Sequence, residues 1–166
     1  LDDGFSVLSV DADPRWIANG RRKFSEHLVQ NKLLLLNVGL ADRVDMLKFY
    51  SSKVDTRSSF SRRKASKHGK VQLTRNVMTN VIPCESLITA IPKRVFFMKI
   101  DIEEYDFHCI EGIAQRLDPS LMKPLFVSWE NHFRHLRQQY DSFPAFDMRL
   151  ILLMAKAGYT KIKMSF

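Results

Sequence analysis

Three carboxylates stand where apolar runs end: Asp11 closes FSVLSVDA (5 to 12), Asp101 closes RVFFMKIDI (94 to 102) and Glu130 closes PLFVSWEN (124 to 131). A carboxylate next to buried chain costs desolvation unless hydrogen-bond donors meet it, so each is a candidate acceptor for ligand hydroxyls. His132 follows Glu130 closely, and its ordinary pKa suits it to take a proton near neutral pH. A strand-end histidine bonded to backbone is the plainer alternative for it. His132 and His135 share a helical spacing, but no further ligand matches them and no metal site is expected. Asp13 precedes Pro14, which reads as an N-cap with proline at the first helical position, and leaves Asp11 available for other hydrogen bonds. Glu103, Glu104 and Asp106 crowd behind Asp101, where acids favour the start of a helix.

The elements that must position these residues alternate. The run 5 to 12 reads as a strand, and Ile17, Gly20, Phe24 and Leu28 then recur at helical spacing. KLLLLNVGLAD (32 to 42) holds a continuous apolar run closed by Asn37 and Gly39, the pattern of a strand covered on both faces. MLKFYSS (46 to 52) predicts an edge strand, and NVIPCESLITAI (80 to 91) a strand running into a short helix. Residues 94 to 102 predict a buried strand, followed by a helix from 103 to 116 with Phe107, Ile110 and Ala114 along one stripe. A further strand at 124 to 131 precedes a helix at 146 to 156, which stops at Gly158, and YTKIKMSF closes with an alternating strand. Strand and helix in alternation imply a mainly parallel sheet with helices on both faces, and ligands of such sheets sit at the carboxyl ends of the strands. Asp11, Asp101 and Glu130 fall at that edge.

Composition narrows the class. The chain has 166 residues, 45% hydrophobic, enough for one core and one domain. Its net charge of +8 is concentrated: between Lys53 and Arg75 eight basic residues face Asp55 alone, leaving that stretch +7. Being rich in serine and poor in apolar residues, 53 to 75 reads as a solvated loop or insertion. An anionic ligand is the sharper alternative; no aromatic-and-basic nucleic-acid module accompanies it, so no nucleic acid partner is expected. No run of apolar residues is long enough to span a bilayer, and nothing in this segment indicates membrane contact. Cys84 and Cys109, far apart and unpaired in pattern, fit simple burial or a reducing compartment such as the cytoplasm, with Cys109 a core residue. Trp16 and Trp129 read as packing residues.

Taken together, VLSVDADPRW, LLLNVGLAD, MKIDIEEYDFHCIEGI and VSWENH resemble the FkbM family of methyltransferase domains over residues 5 to 166. The resemblance implies a Rossmann-like class I α/β sheet with helices on both faces, and S-adenosylmethionine (SAM) as methyl donor. It also implies O-methylation of a small-molecule or glycan hydroxyl acceptor. By this likeness Asp11 holds the SAM ribose, Asp13 with Pro14 forms the adjoining turn, and Gly39, Leu40 and Ala41 flank the adenine. Lys99, Asp101 and Glu103 match the block lining the methyl-transfer site. Glu130, Asn131 and His132 face the acceptor, with Asp101, Glu130 and His132 in the catalytic group and His132 as the base. Glu104 stands where the family usually has glycine. The family's first strand and its glycine-rich turn would precede Leu1, so the fold is expected to be N-terminally incomplete here, with SAM binding weak without them. That strand belongs between the strands of 6 to 11 and 95 to 101, which are expected either to leave a lane or to pair directly. Two other readings remain open: a catalytically degenerate domain binding an anionic partner through its basic loop, and another nucleotide-binding α/β enzyme with Asp11 on the ribose.

Overall fold

The computed structural model describes residues 4–52, 58–61, 73–102, 105–117, 123–129 and 143–160. The chain is mixed α/β and divides into two compact units, Leu1–Ile82 and Pro83–Phe166.

In the first unit β1 (Val7–Val10) runs into α1 (Pro14–Lys23) through the acidic turn. Asp13 caps the helix as expected, with extended backbone angles and a side chain accepting from the Arg15 N–H, and Pro14 opens the first turn. Arg21, Arg22 and Lys23 end α1, where cations suit the dipole. A short α2 (Ser25–Val29) and a turn with Asn31 at φ 54° lead into β2 (Leu33–Leu36). β2 lies parallel to β1, with Val7 opposite Leu33 and Val10 opposite Leu36. Ile17 of α1 is buried with Leu33 and Leu35, and Leu28 packs beside them. Gly20 permits the approach, since a Cβ there would stand 3.0 Å from a Leu35 methyl.

The strand of the run 32 to 42 closes at Asn37, as its sequence predicts, but it is not covered on both faces. β2 stops at Leu36, and β3 (Gly39–Ala41) belongs to a different sheet, ordered β3-β5-β4. The break falls at Asn37, whose amide turns to the Asp11 and Ala12 carbonyls. Within β2, Leu34 is 56% exposed between two buried leucines, the alternation of a strand covered on one face. β4 (Asp45–Ser52) is an edge strand, as its sequence predicts, antiparallel to β5 (Leu73–Pro83) with Asp45 opposite Val81 and a bulge at Ser51/Ser52. The stem of the basic stretch is built into this sheet. Ser59 exchanges two backbone hydrogen bonds with Tyr50, at 2.9 and 3.0 Å, and Phe60 meets Phe49 edge-on at 5.0 Å. Of the loop expected over 53 to 75, residues 73 to 75 already belong to β5, while 53 to 57 and 62 to 72 lie outside the described residues.

The second unit contains α3 (Cys84–Thr89), β6 (Phe97–Ile100), α4 (Asp106–Glu111), a π-helical turn (Gly112–Arg116), β7 (Phe126–Trp129) and α5 (Phe143–Lys156). β6 and β7 pair in parallel, Phe97 opposite Phe126. The strand expected to be buried throughout is not: Phe97 and Phe126 are more than half exposed and only Ile100 is enclosed. The helix predicted over 103 to 116 has its α-helical part at 106–111 and ends in the π turn, which touches both α3 and α5. Ile110, Ile113, Leu150 and Met154 are fully buried. α5 ends before Gly158, whose φ of 91° suits a C′ glycine. Lys123 donates to the Ala157 carbonyl and the Tyr159 hydroxyl to the Pro124 carbonyl, both at 2.8 Å, tying this end to the start of β7. The closing strand predicted in YTKIKMSF falls mostly outside the described residues.

Cys84 and Cys109 form a disulfide between α3 and α4, with Cα atoms 5.1 Å apart. Their 25-residue separation carries no pairing signal, which is why the sequence reads them as free thiols, and the bond removes the argument for a reducing compartment. The strands read from the sequence at 5 to 12 and 94 to 102 are both present, each in a parallel pair. Among the described residues β1 and β6 each belong to a two-stranded sheet.

Candidate functional site

Among the described residues of the first unit, polar side chains gather at the turn Asp11–Ala12–Asp13 between β1 and α1. Asp11 accepts the Asp13 N–H on Oδ1 at 2.7 Å, the side-chain turn that aspartate forms with the residue two ahead. Its backbone N–H meanwhile donates to the Leu36 carbonyl at 3.1 Å, extending the β1–β2 pairing. Among the described residues nothing binds Oδ2 of Asp11. Burial pushes the Asp11 carboxyl above its usual range, and the nearby Asp13 charge adds to this, against the lowering effect of the Asp13 N–H and of Arg15.

Asp13 is used differently. It is 1% exposed, and both oxygens are engaged within the chain. Oδ1 accepts the Arg15 N–H at 2.9 Å and Arg15 Nε at 3.0 Å; Oδ2 accepts Arg15 Nη2 at 2.7 Å, Ser51 Oγ at 3.1 Å and Ser58 Oγ at 3.4 Å. Burial pushes this carboxyl up, but the bonds from Arg15 and Ser51 outweigh it and hold it below the usual range. Asp13 thus fixes the turn, and Asp11 keeps an oxygen to offer.

Three residues that sequence reasoning passed over complete the frame. Asn37 Nδ2 donates to the Asp11 carbonyl at 2.9 Å and the Ala12 carbonyl at 3.2 Å; Thr79 Oγ1 donates to the Ala12 carbonyl at 3.4 Å; Ser51 holds Asp13 from β4. The only sequence signal for them is a polar residue interrupting an apolar or β-rich run, which does not say what it faces.

Gly39, Leu40 and Ala41 make up β3 and all three are buried. A Cβ on Gly39 would lie 2.5 Å from the Phe60 ring and 2.9 Å from a Val81 methyl, so close packing by itself demands glycine.

In the second unit Asp101 follows β6, and its carboxylate accepts from Lys99 Nζ at 3.1 Å. It is 39% exposed, so the desolvation that singled it out in the sequence is relieved by water and by Lys99. Asp106 is fully buried in the first turn of α4, the place expected of it, and accepts the N–H of Ile102 ahead of the helix at 3.0 Å. Glu103, Glu104, Glu130, Asn131 and His132 lie outside the described residues.

A turn that presents one carboxylate oxygen at the end of a parallel strand suits a neutral ligand with adjacent hydroxyls. Neither the curated proteins nor the solved structures include a match. The family model described as Methyltransferase FkbM domain matches residues 1–161, nearly the whole chain. The chain therefore belongs to the FkbM methyltransferase family, and its chemistry is the transfer of a methyl group from a donor.

Proposed function

We propose that this domain transfers the methyl group of SAM to a hydroxyl oxygen of a small-molecule or glycan acceptor. The observation that carries the reading is Asp11: one oxygen fixed by the Asp13 N–H, the other available, in a turn braced by neighbouring strands. A carboxylate so held can accept charge-assisted hydrogen bonds from both hydroxyls of a ribose. The two parallel strand pairs, with an acid just beyond β1 and beyond β6, support the Rossmann-like class I reading of the fold.

When bound, SAM supplies a methyl group on a sulfonium, ready for in-line displacement by an acceptor oxygen. The residues of the chain then bind, orient and deprotonate. Asp11 would hold the ribose. Lys99 and Asp101, already paired, line the transfer site. Glu130 orients the acceptor and His132 takes its hydroxyl proton, so that placement and a single proton transfer provide the rate.

The test is calorimetric titration of the full gene product with SAM. Asp11→Ala is expected to weaken binding by roughly ten- to a hundredfold, the loss of charge-assisted bonds, with unfolding unchanged. Equal affinity for both proteins would refute the assignment. Transfer of label from methyl-labelled SAM to hydroxyl compounds, lost in His132→Gln, tests the chemistry; normal turnover in that variant would return His132 to the plainer alternative of a strand-end histidine bonded to backbone.

A further inference from the structure

Asn37 does something that neither the family membership nor the proposed chemistry requires. It sits where the apolar run 32 to 42 breaks between two sheets, and its side-chain NH2 reaches across to the two carbonyls of the turn that carries Asp11. Asp13 anchors the helix side of the turn through Arg15, Ser51 and Ser58, while the carbonyl side has few constraints besides Asn37. Asp11 contributes its own N–H to Leu36 and its Oδ1 to Asp13, while Thr79 adds a longer bond to Ala12 at 3.4 Å. A primary amide is well matched to this place: two N–H donors from one nitrogen satisfy two successive carbonyls at 2.9 and 3.2 Å. Aspartate, of the same shape, would set a carboxylate against two carbonyl dipoles. Alanine would leave the carbonyls to water, which hydrates them without fixing their direction.

We propose that Asn37 is a positioning residue for the donor's ribose: by clamping the Asp11 and Ala12 carbonyls it holds the turn in the one geometry that presents Asp11 Oδ2 to a diol. The inference rests on the SAM reading of Asp11 above. Asn37 does not touch the ligand; it acts through Asp11. Because Asn37 is exposed, its replacement uncovers no core, and the consequence falls on the turn and not on the fold.

A double-mutant cycle separates this from a structural role. In the full gene product, Asn37→Ala is expected to weaken SAM binding about five- to tenfold, the worth of one or two hydrogen bonds, with an unchanged thermal midpoint. In an Asp11→Ala background the same substitution is expected to change nothing further. Additive losses, or wild-type affinity in Asn37→Ala, would overturn the proposal. A second measurement does not depend on SAM. The Asp13 N–H, bonded to Asp11 Oδ1, is expected to exchange with deuterium about tenfold faster in Asn37→Ala, while β2 amides keep their protection. Unchanged exchange at Asp13 would overturn the clamp itself. Loss of SAM binding in no Asp11 variant, with faster exchange in Asn37→Ala, would leave the clamp standing and remove the ribose from it.

Discussion

Breaking the bond between Cys84 and Cys109 gives the clearest number. The cystine joins the first residue of α3 to the middle of α4, both cysteines being essentially inaccessible. Closing a loop of 25 residues removes conformational freedom from the unfolded chain, worth about 3.5 kcal/mol at 25 °C in the chain-entropy relation. Reduction deletes no side chain, so the loss should come close to that value. The double replacement Cys84→Ala with Cys109→Ala should cost about 1 kcal/mol more, because it also removes buried sulfur contacts. Alanine is the better choice, since a serine hydroxyl at a fully buried site adds its own desolvation. The assay is denaturant unfolding with and without reductant, followed by a probe in the second unit. The midpoint should fall and the slope should rise, as the uncrosslinked chain exposes more surface. Identical midpoints in the two conditions, or two titratable thiols in the denatured, unreduced protein, would refute the reasoning.

Other expectations follow from single contacts. Gly39→Ala should destabilise the first unit by about 1 to 3 kcal/mol, because the new methyl meets the Phe60 ring and buried Val81; Gly112→Ala should cost less, since it meets the movable ends of Glu85 and Arg116. Adding Phe60→Ala to Gly39→Ala should restore part of the loss in a thermal melt, and no restoration would count against the contact. Asp13 has a depressed folded pKa, so the stability it contributes is present above the ordinary carboxyl value of 3.8 and is lost as pH falls through the lower folded value. Asp13→Asn should therefore lower stability by about 1 to 2 kcal/mol at pH 7 and flatten the acid limb of a stability-against-pH curve. Asp11 has the opposite sign: its raised folded pKa means that ionisation weakens the fold as pH rises through it. Asp11→Asn should accordingly leave the fold as stable or slightly more stable at pH 7 while weakening SAM, and affinity in the native protein should fall on acidification through that raised pKa. Stability lost together with affinity in Asp11→Asn would sink this reading.

Local chemistry was legible in the sequence wherever neighbours along the chain decide it. Asp13 followed by Pro14 could only begin a helix, because the aspartate side chain reaches the N–H two residues on and proline lacks a donor that the first turn would leave idle. The strands β1, β2, β6 and β7 and the edge strand β4 were visible as apolar runs separated by turn residues, and four blocks in order were enough to indicate the family. What the tertiary structure alone decided is what polar groups face once strands from distant parts of the chain meet. The sequence closes the run 32 to 42 at Asn37, but it does not show that the amide there meets carbonyls 25 and 26 positions away. The sequence already separates Asp13, the cap, from Asp11; what only the fold decided is that Ser51 from β4 joins Arg15 in holding the Asp13 carboxylate. Cys84 and Cys109 carry no signal in their spacing; they bond because α3 and α4 bring their Cα atoms within 5.1 Å, a distance that only packing can fix.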